Sequence, residues 1–176
     1  HKPLPPAATL SDRAISNASM SKLHGLPGLR IGWMVADKAI IDIAKEIRSY
    51  TTICDSTLSE YISKLALKRK GELVTRAEKI AKTNLEVVRK WVENRDDVNW
   101  VPPGGGLVTF PRFYRNATST DLCTLLAEKY KVFVAPGKFF DVENHFRIGF
   151  GWSTDELREG LEFVGKALDS FKPLRK

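Results

Sequence analysis

A lysine amine is protonated in water near neutral pH, so it becomes a nucleophile only where its surroundings disfavour the ammonium form. Lys22 stands in a run whose residue types could do that: Ser19-Met20-Ser21-Lys22-Leu23-His24-Gly25-Leu26-Pro27-Gly28-Leu29-Arg30-Ile31-Gly32-Trp33. Burial and a neighbouring positive charge both free an amine for Schiff-base chemistry, and Arg30 could supply the charge. Ser19 and Ser21 add hydroxyl donors, and the glycines allow backbone to approach closely. An arginine stays charged and grips phosphate oxygens in a two-pronged fork. A phosphate-bearing aldehyde would therefore find an anchor and a covalent partner within one loop. Taken alone, the Lys22 and Arg30 pair also fits a surface lysine in a glycine-rich turn and an arginine in an unrelated ion pair.

The elements around this run must position it. Ala14–Ala18 reads as a short strand leading to Lys22. Leu29–Ala36 reads as a strand whose near-continuous apolar character predicts burial on both faces. Asp37 is set to cap a helix with Ile40, Ile41, Ala44 and Ile47 as its apolar stripe. A second helix is expected from Thr57, with Thr57 and Glu60 at capping-box spacing, to about Gly71. From Glu72 to about Asn94, Val74, Ala77, Ala81, Leu85, Val88 and Trp91 keep helical spacing, which predicts one long amphipathic helix.

Beyond it, Val98–Val101 and Leu107–Phe110 read as strands around the turn Pro102-Pro103-Gly104-Gly105-Gly106. A helix through Leu122, Leu125, Leu126 and Tyr130 leads to a strand at Val132–Ala135, broken by Pro136-Gly137. Phe146–Phe150 is another strand, and Ser153 with Glu156 caps a last helix to about Phe171. Two regimes result: residues 1–70, with only two candidate strands, and 71–176, a compact α+β unit.

Composition narrows the function classes. The 176 residues are 43% hydrophobic and 28% charged, as in globular chains, and no apolar run approaches the roughly 20 residues of a membrane span. The opening His1-Lys2-Pro3-Leu4-Pro5-Pro6-Ala7-Ala8 lacks the apolar core of a secretion signal and reads as an extended lead-in or the cut edge of something longer. Cys54 and Cys123 have no metal-ligand spacing and read as reduced thiols of an intracellular protein, so no metal is expected. The net charge of +7 raises nucleic acid as a partner. Its basic excess between Lys64 and Arg95 is, however, interleaved with Glu72, Glu78, Glu86 and Glu93 like a solvated helix face, without a recognition motif.

The complete run from Ser19 to Trp33 resembles the lysine motif of the class I and II aminotransferases, the fold-type I enzymes that use pyridoxal phosphate. Further motifs extend that resemblance over most of the chain. Pro103-Gly104-Gly105-Gly106 before an apolar strand is similar to the family's small-domain hairpin. Val134-Ala135-Pro136-Gly137-Lys138-Phe139-Phe140 resembles its Val-x-Pro-Gly-x-x-Phe segment. Phe146-Arg147-Ile148 matches the strand whose arginine holds a substrate α-carboxylate.

The resemblance implies an α/β fold, namely the C-terminal part of a fold-type I transferase: the end of the large-domain sheet in 1–70 and the small α+β domain in 71–176. It implies Lys22 as the catalytic residue, holding pyridoxal phosphate covalently and shuttling a proton at the substrate Cα. Ser19, Ser21 and Arg30 would bind the cofactor phosphate with it, and Arg147 the substrate carboxylate. His24 packs or caps the turn. The activity implied is transfer of an amino group between an α-amino acid and a 2-oxo acid, in a cytoplasmic homodimer. With 21 residues before Lys22, most of the family's large domain is missing, so the chain alone is expected to be inactive and to expose apolar sheet edges and faces. The readings left open are a split enzyme's complementing half, a non-catalytic remnant, and a lyase or synthase of the same fold.

Overall fold

In a computed structural model, which describes residues 4–174, strands β1 (Ser16–Ser19) and β2 (Gly32–Val35) form an antiparallel two-stranded ribbon. Its register sets Ser19 opposite Gly32 and Ala18 opposite Trp33. Gly32 is closely packed: a Cβ there would sit 3.0 Å from the Ala18 carbonyl oxygen, so the paired strand would have to give way slightly. The strands lie where the sequence predicts them, but the expected two-sided burial of the second is not observed. All four β2 residues are exposed, with Trp33, Met34 and Val35 at 38%, 40% and 48%. The cause is that β2 pairs with β1 alone and its side chains have no covering layer among the described residues. The lead-in is not wholly extended, since Ala7–Thr9 is a 3-10 turn closed by Thr9 on the Pro6 carbonyl; its residues 1–3 lie outside the described part.

Helix α1 (Lys38–Thr51) begins at Asp37, whose carboxylate accepts from the Ala39 amide at 2.8 Å. Its stripe is incompletely covered: Ile40, Ile41 and Ala44 are half-buried and Ile47 is 59% exposed. Helix α2 (Thr57–Lys68) is capped one residue earlier than its spacing suggests, by Ser56 accepting from the Ser59 amide. Gly71 does not end α2, because Arg69 closes it and Gly71 lies inside α3 (Lys70–Glu93). The charges on α3 pair along its surface, Arg89 with Glu86 at 3.3 Å and Lys82 with Glu78 at 3.9 Å, as a solvated face predicts.

The chain divides into two compact units, His1–Ala77 and Glu78–Lys176. The second holds the hydrophobic core. Val88 and Val92 of α3 pack there with Phe113, Phe146, Ile148 and Phe150, and with Leu157, Leu161, Val164 and Leu168 of α5 (Thr154–Asp169). Burying each such side chain stabilises by about 1.5–3 kcal/mol. The strands are β3 (Val98–Asn99), β4 (Val108–Thr109), β5 (Arg112–Phe113), β6 (Ala135–Pro136) and β7 (Phe146–Gly149). β7 is central, pairing antiparallel with both β4 and β6, while β3 pairs with β5. The hairpin expected around Pro102–Gly106 is therefore not formed: the segment is a loop between two different sheets. Helix α4 (Ser119–Leu125) starts with a capping box between Thr118 and Asp121 and passes into a π-helical turn at Leu126–Tyr130.

Two polar networks pin this unit. Asn84, fully buried on α3, donates to the carbonyls of Phe150 (2.8 Å) and Trp152 (2.9 Å) and accepts from the Thr154 hydroxyl (2.8 Å). Both amide N–H groups and the amide oxygen thus have partners, as a buried amide requires. Asp97 accepts a fork of two bonds from Arg95 (2.8 and 2.9 Å) and a third from Arg115 (2.7 Å), and both arginines also reach Asp169. Burial favours the neutral form of Asp97, but the bonds and charges of Arg95 and Arg115 outweigh it and hold the carboxyl below its ordinary range.

Candidate functional site

The loop between β1 and β2 carries Lys22, and Met20 fixes its shape. The Met20 side chain is fully buried, its amide donates to the Ile31 carbonyl at 3.0 Å, and its carbonyl accepts from Leu26 at 2.9 Å. Those two bonds bring both ends of the loop together. A further turn follows, with the Gly25 amide on the Lys22 carbonyl at 3.0 Å. Pro27–Leu29 then forms a 3-10 turn that ends at Arg30, whose backbone is left-handed at φ 55°. That conformation is uncommon for a residue with a side chain, and here it redirects the chain from the turn into β2.

Ser19, Ser21, Lys22 and Arg30 are all brought onto this one loop. Ser19 accepts from the Ser21 amide at 3.3 Å through Oγ, so its hydroxyl proton remains available for an oxyanion. Arg30 donates one N–H from Nη1 to the Pro27 carbonyl at 3.1 Å and makes no ion pair among the described residues. Lys22 is exposed, and its amine has no hydrogen-bond partner among the described residues. His24 packs the turn, as expected: its Nδ1 lies 3.4 Å from the Ser19 carbonyl and its ring 6.1 Å from that of Trp33. A hydroxyl, a guanidinium and a primary amine with spare hydrogen-bonding capacity match the demands of a phosphate dianion and an aldehyde carbon.

Arg147 belongs to the second unit and is held apart from that loop in sequence. It projects from β7 on the face opposite the core residues Phe146 and Ile148, is exposed, and sets its guanidinium carbon 5.1 Å over the Phe140 ring. Its backbone pairs with Ala135 in β6, next to the tightly packed Pro136-Gly137 turn. A Cβ on Gly137 would collide with the Val142 carbonyl oxygen and lie 2.7 Å from that of His145, so only glycine lets the segment carrying Phe140 fold back against β7. Glu143 secures the same segment by accepting from the Ser119 amide (3.0 Å) and hydroxyl (2.9 Å), which keeps its carboxyl below the ordinary range.

Motif reading did not single out Met20 as the anchor of the loop, nor Phe140 as the partner of Arg147. A lone methionine among serines carries no periodic signal, and a cation–π contact across a turn leaves no spacing to read. Among the described residues there is no cluster of three or more potential metal ligands, and no helix is long and apolar enough to cross a membrane. Cys54 and Cys123 are free, and burial pushes the Cys123 thiol up to about 11.

Known proteins share this sequence and architecture. Residues 6–164 match the family described as aminotransferase class I and II. The chain is 34% identical over 169 residues to capreomycidine synthase of Streptomyces vinaceus, covering 96% of this chain and 43% of that protein. It is 28% identical over 171 residues to an aspartate aminotransferase of Rhizobium meliloti, covering 91% and 42%. Its fold superposes on a crystal structure of a PLP-dependent aminotransferase from Streptococcus suis with a TM-score of 0.93 at 29% identity, covering 98% of this chain and 46% of the other. The chain thus spans less than half the length of the relatives it matches.

Proposed function

Because the chain belongs to the class I and II aminotransferase family, with the fold of type I enzymes and pyridoxal phosphate as cofactor, we propose that it forms the C-terminal part of an aminotransferase. The activity proposed for the full-length enzyme is exchange of an amino group between an α-amino acid and a 2-oxo acid. On this reading residues 1–70 end the large cofactor-binding domain and 71–176 make the small domain. The observation that carries it is the donor set of one loop, Lys22 with Ser19, Ser21 and Arg30, folded around buried Met20.

These donors fit the cofactor. Ser19, Ser21 and Arg30 would hold its phosphate, and Lys22 Nζ would hold its aldehyde carbon. When bound, pyridoxal phosphate supplies an electron sink for the bond broken at the substrate Cα. Lys22 Nζ would take the Cα proton. Arg147 would grip the substrate α-carboxylate. Lys22 is exposed on this chain, so the water exclusion its chemistry needs falls to the rest of the enzyme, and the chain alone is inactive. A homodimer is supported by the exposed apolar side chains Ile47, Tyr50, Ile53, Tyr61 and Leu65, and a cytoplasmic location by the free thiols.

A second reading, a synthase using the same cofactor, is favoured by the 34% identity to capreomycidine synthase. An amino-donor panel on the full-length enzyme separates the two. Amino transfer to a 2-oxo acid supports the aminotransferase, and turnover without transfer decides for the synthase. In the same panel Arg147→Gln is expected to raise KM for every donor by about 10–100-fold, the value of a charged hydrogen-bonded pair. An unchanged KM would remove Arg147 from the carboxylate role.

A further inference from the structure

The turn that carries Arg30 is weakly held by its own bonds. The Leu29 amide reaches the Leu26 carbonyl, and the Arg30 amide the Pro27 carbonyl, at 3.4 Å each, against a usual spacing of about 2.9–3.0 Å. The Arg30 guanidinium is tied to that same Pro27 carbonyl, at 3.1 Å. The left-handed backbone of Arg30 is a conformation that its surroundings must hold in place. Helix α2 stands behind the turn. It lies against Pro27–Leu29, and its Ser63 lines one cleft with Ile31, the residue that follows Arg30. The covered side of α2 is its small-residue side. Ser63 is buried at 4% exposure, with Ser59 and Ala66 half-buried at helical spacing on either side of it, whereas Leu58, Tyr61 and Leu65 are exposed. The Ser63 hydroxyl has no hydrogen-bond partner among the described residues. An unpaired buried hydroxyl lowers stability, so the contribution of Ser63 here is its size and not a bond.

We propose that Ser63 is a positioning residue for the cofactor phosphate: its small side chain lets α2 close on the Pro27–Leu29 turn, and the seated turn fixes the Arg30 guanidinium. A larger side chain at this position pushes the turn outward, because a helix and a turn in contact cannot both keep their places around added methylenes. The Pro27 carbonyl moves with the turn and carries both of the bonds that hold Arg30. Lys22 is held separately, through its carbonyl, by the Gly25 amide. The effect therefore falls on the phosphate grip more than on the amine. The inference rests on the reading of Arg30 as a phosphate ligand.

Binding, rather than turnover, provides the test. The full-length enzyme, stripped of cofactor, is titrated with pyridoxal phosphate and with pyridoxal, the same aldehyde without the phosphate. Ser63→Leu is expected to weaken pyridoxal phosphate by about 10-fold and to leave pyridoxal within about twofold. Ser63→Ala, which keeps the size and loses only an unbonded hydroxyl, should bind both as the wild type does. Arg30→Gln should narrow the preference for the phosphorylated aldehyde, and adding Ser63→Leu to it should narrow that preference no further, since the two act as one unit. If Ser63→Leu weakens both aldehydes equally or neither, or if Ser63→Ala matches it, while Arg30→Gln still narrows the preference, the positioning role is overturned and Arg30 stands. If Arg30→Gln leaves the preference unchanged, its phosphate role falls and this inference falls with it. A melting temperature for each variant shows that the fold persists. Ser63→Thr, one methyl larger, keeps the test decisive where leucine unfolds α2, and should shift the preference in the same direction to a smaller extent.

Discussion

Replacing Lys22 by arginine in the full-length enzyme is expected to lower turnover roughly 10,000-fold, the upper range for loss of a positioned general base. Arginine keeps the positive charge and much of the length, so phosphate binding by Ser19, Ser21 and Arg30 should survive. What disappears is a primary amine able to bond a carbonyl carbon and to accept a proton. The direct readout is mass spectrometry after borohydride reduction. The wild-type peptide containing residue 22 should carry the cofactor's added mass, and the arginine variant should carry none. Cofactor trapped on another lysine, with Lys22→Arg fully active, would overturn the assignment.

The second large effect concerns stability. Asp97→Ala leaves Arg95 and Arg115, whose side chains are only 16% and 15% exposed, facing each other without their shared carboxylate. Removing one partner of a buried ionic cluster costs about 3–5 kcal/mol. Urea unfolding followed by tryptophan fluorescence would measure it, and a loss under about 1 kcal/mol would show Asp169 compensating alone. The pH dependence has a definite sign. The folded pKa of Asp97 is depressed, so the cluster's stabilisation is complete above the carboxyl's unfolded value. It is lost as pH falls through the lower, folded one. Asp97→Ala should flatten that acid limb.

The comparison between sequence and structure follows the range of the interactions involved. Helix α3, the Asp37 and Ser153 caps and the strand bearing Arg147 were legible because each is set by neighbours within a few residues. The family was legible in the Ser19–Trp33 run because reactive and anion-gripping residue types crowd one short loop. Long-range pairing was not. Pro102–Gly106 has the composition of a hairpin turn, yet β4 finds its partner in β7, some forty residues on, because Phe146 and Ile148 need cover on the core side. The apolar run at Leu29–Ala36 reads as a buried strand, yet the residues of β2 are exposed, because burial is decided by what packs on a strand and not by its composition alone. Arg112 belongs to no motif in the sequence. Only the bridge to His145 sets it beside Arg147.

One consequence follows from where the buried side chains lie. Between Leu4 and Ala77 only Met20 and Ser63 are fully enclosed, whereas the core cluster falls entirely between Val88 and Leu168. Cooperative unfolding is a property of shared burial, so a single unfolding free energy for these 176 residues describes the Glu78–Lys176 unit. The loop carrying Lys22 sits in the part with the least melting cooperativity of its own. Any ligand that binds the ordered loop would add about 1.4 kcal/mol to that state for each tenfold of concentration above its Kd. Lys22 is thus presented by a loop anchored on buried Met20 and not by the core cluster.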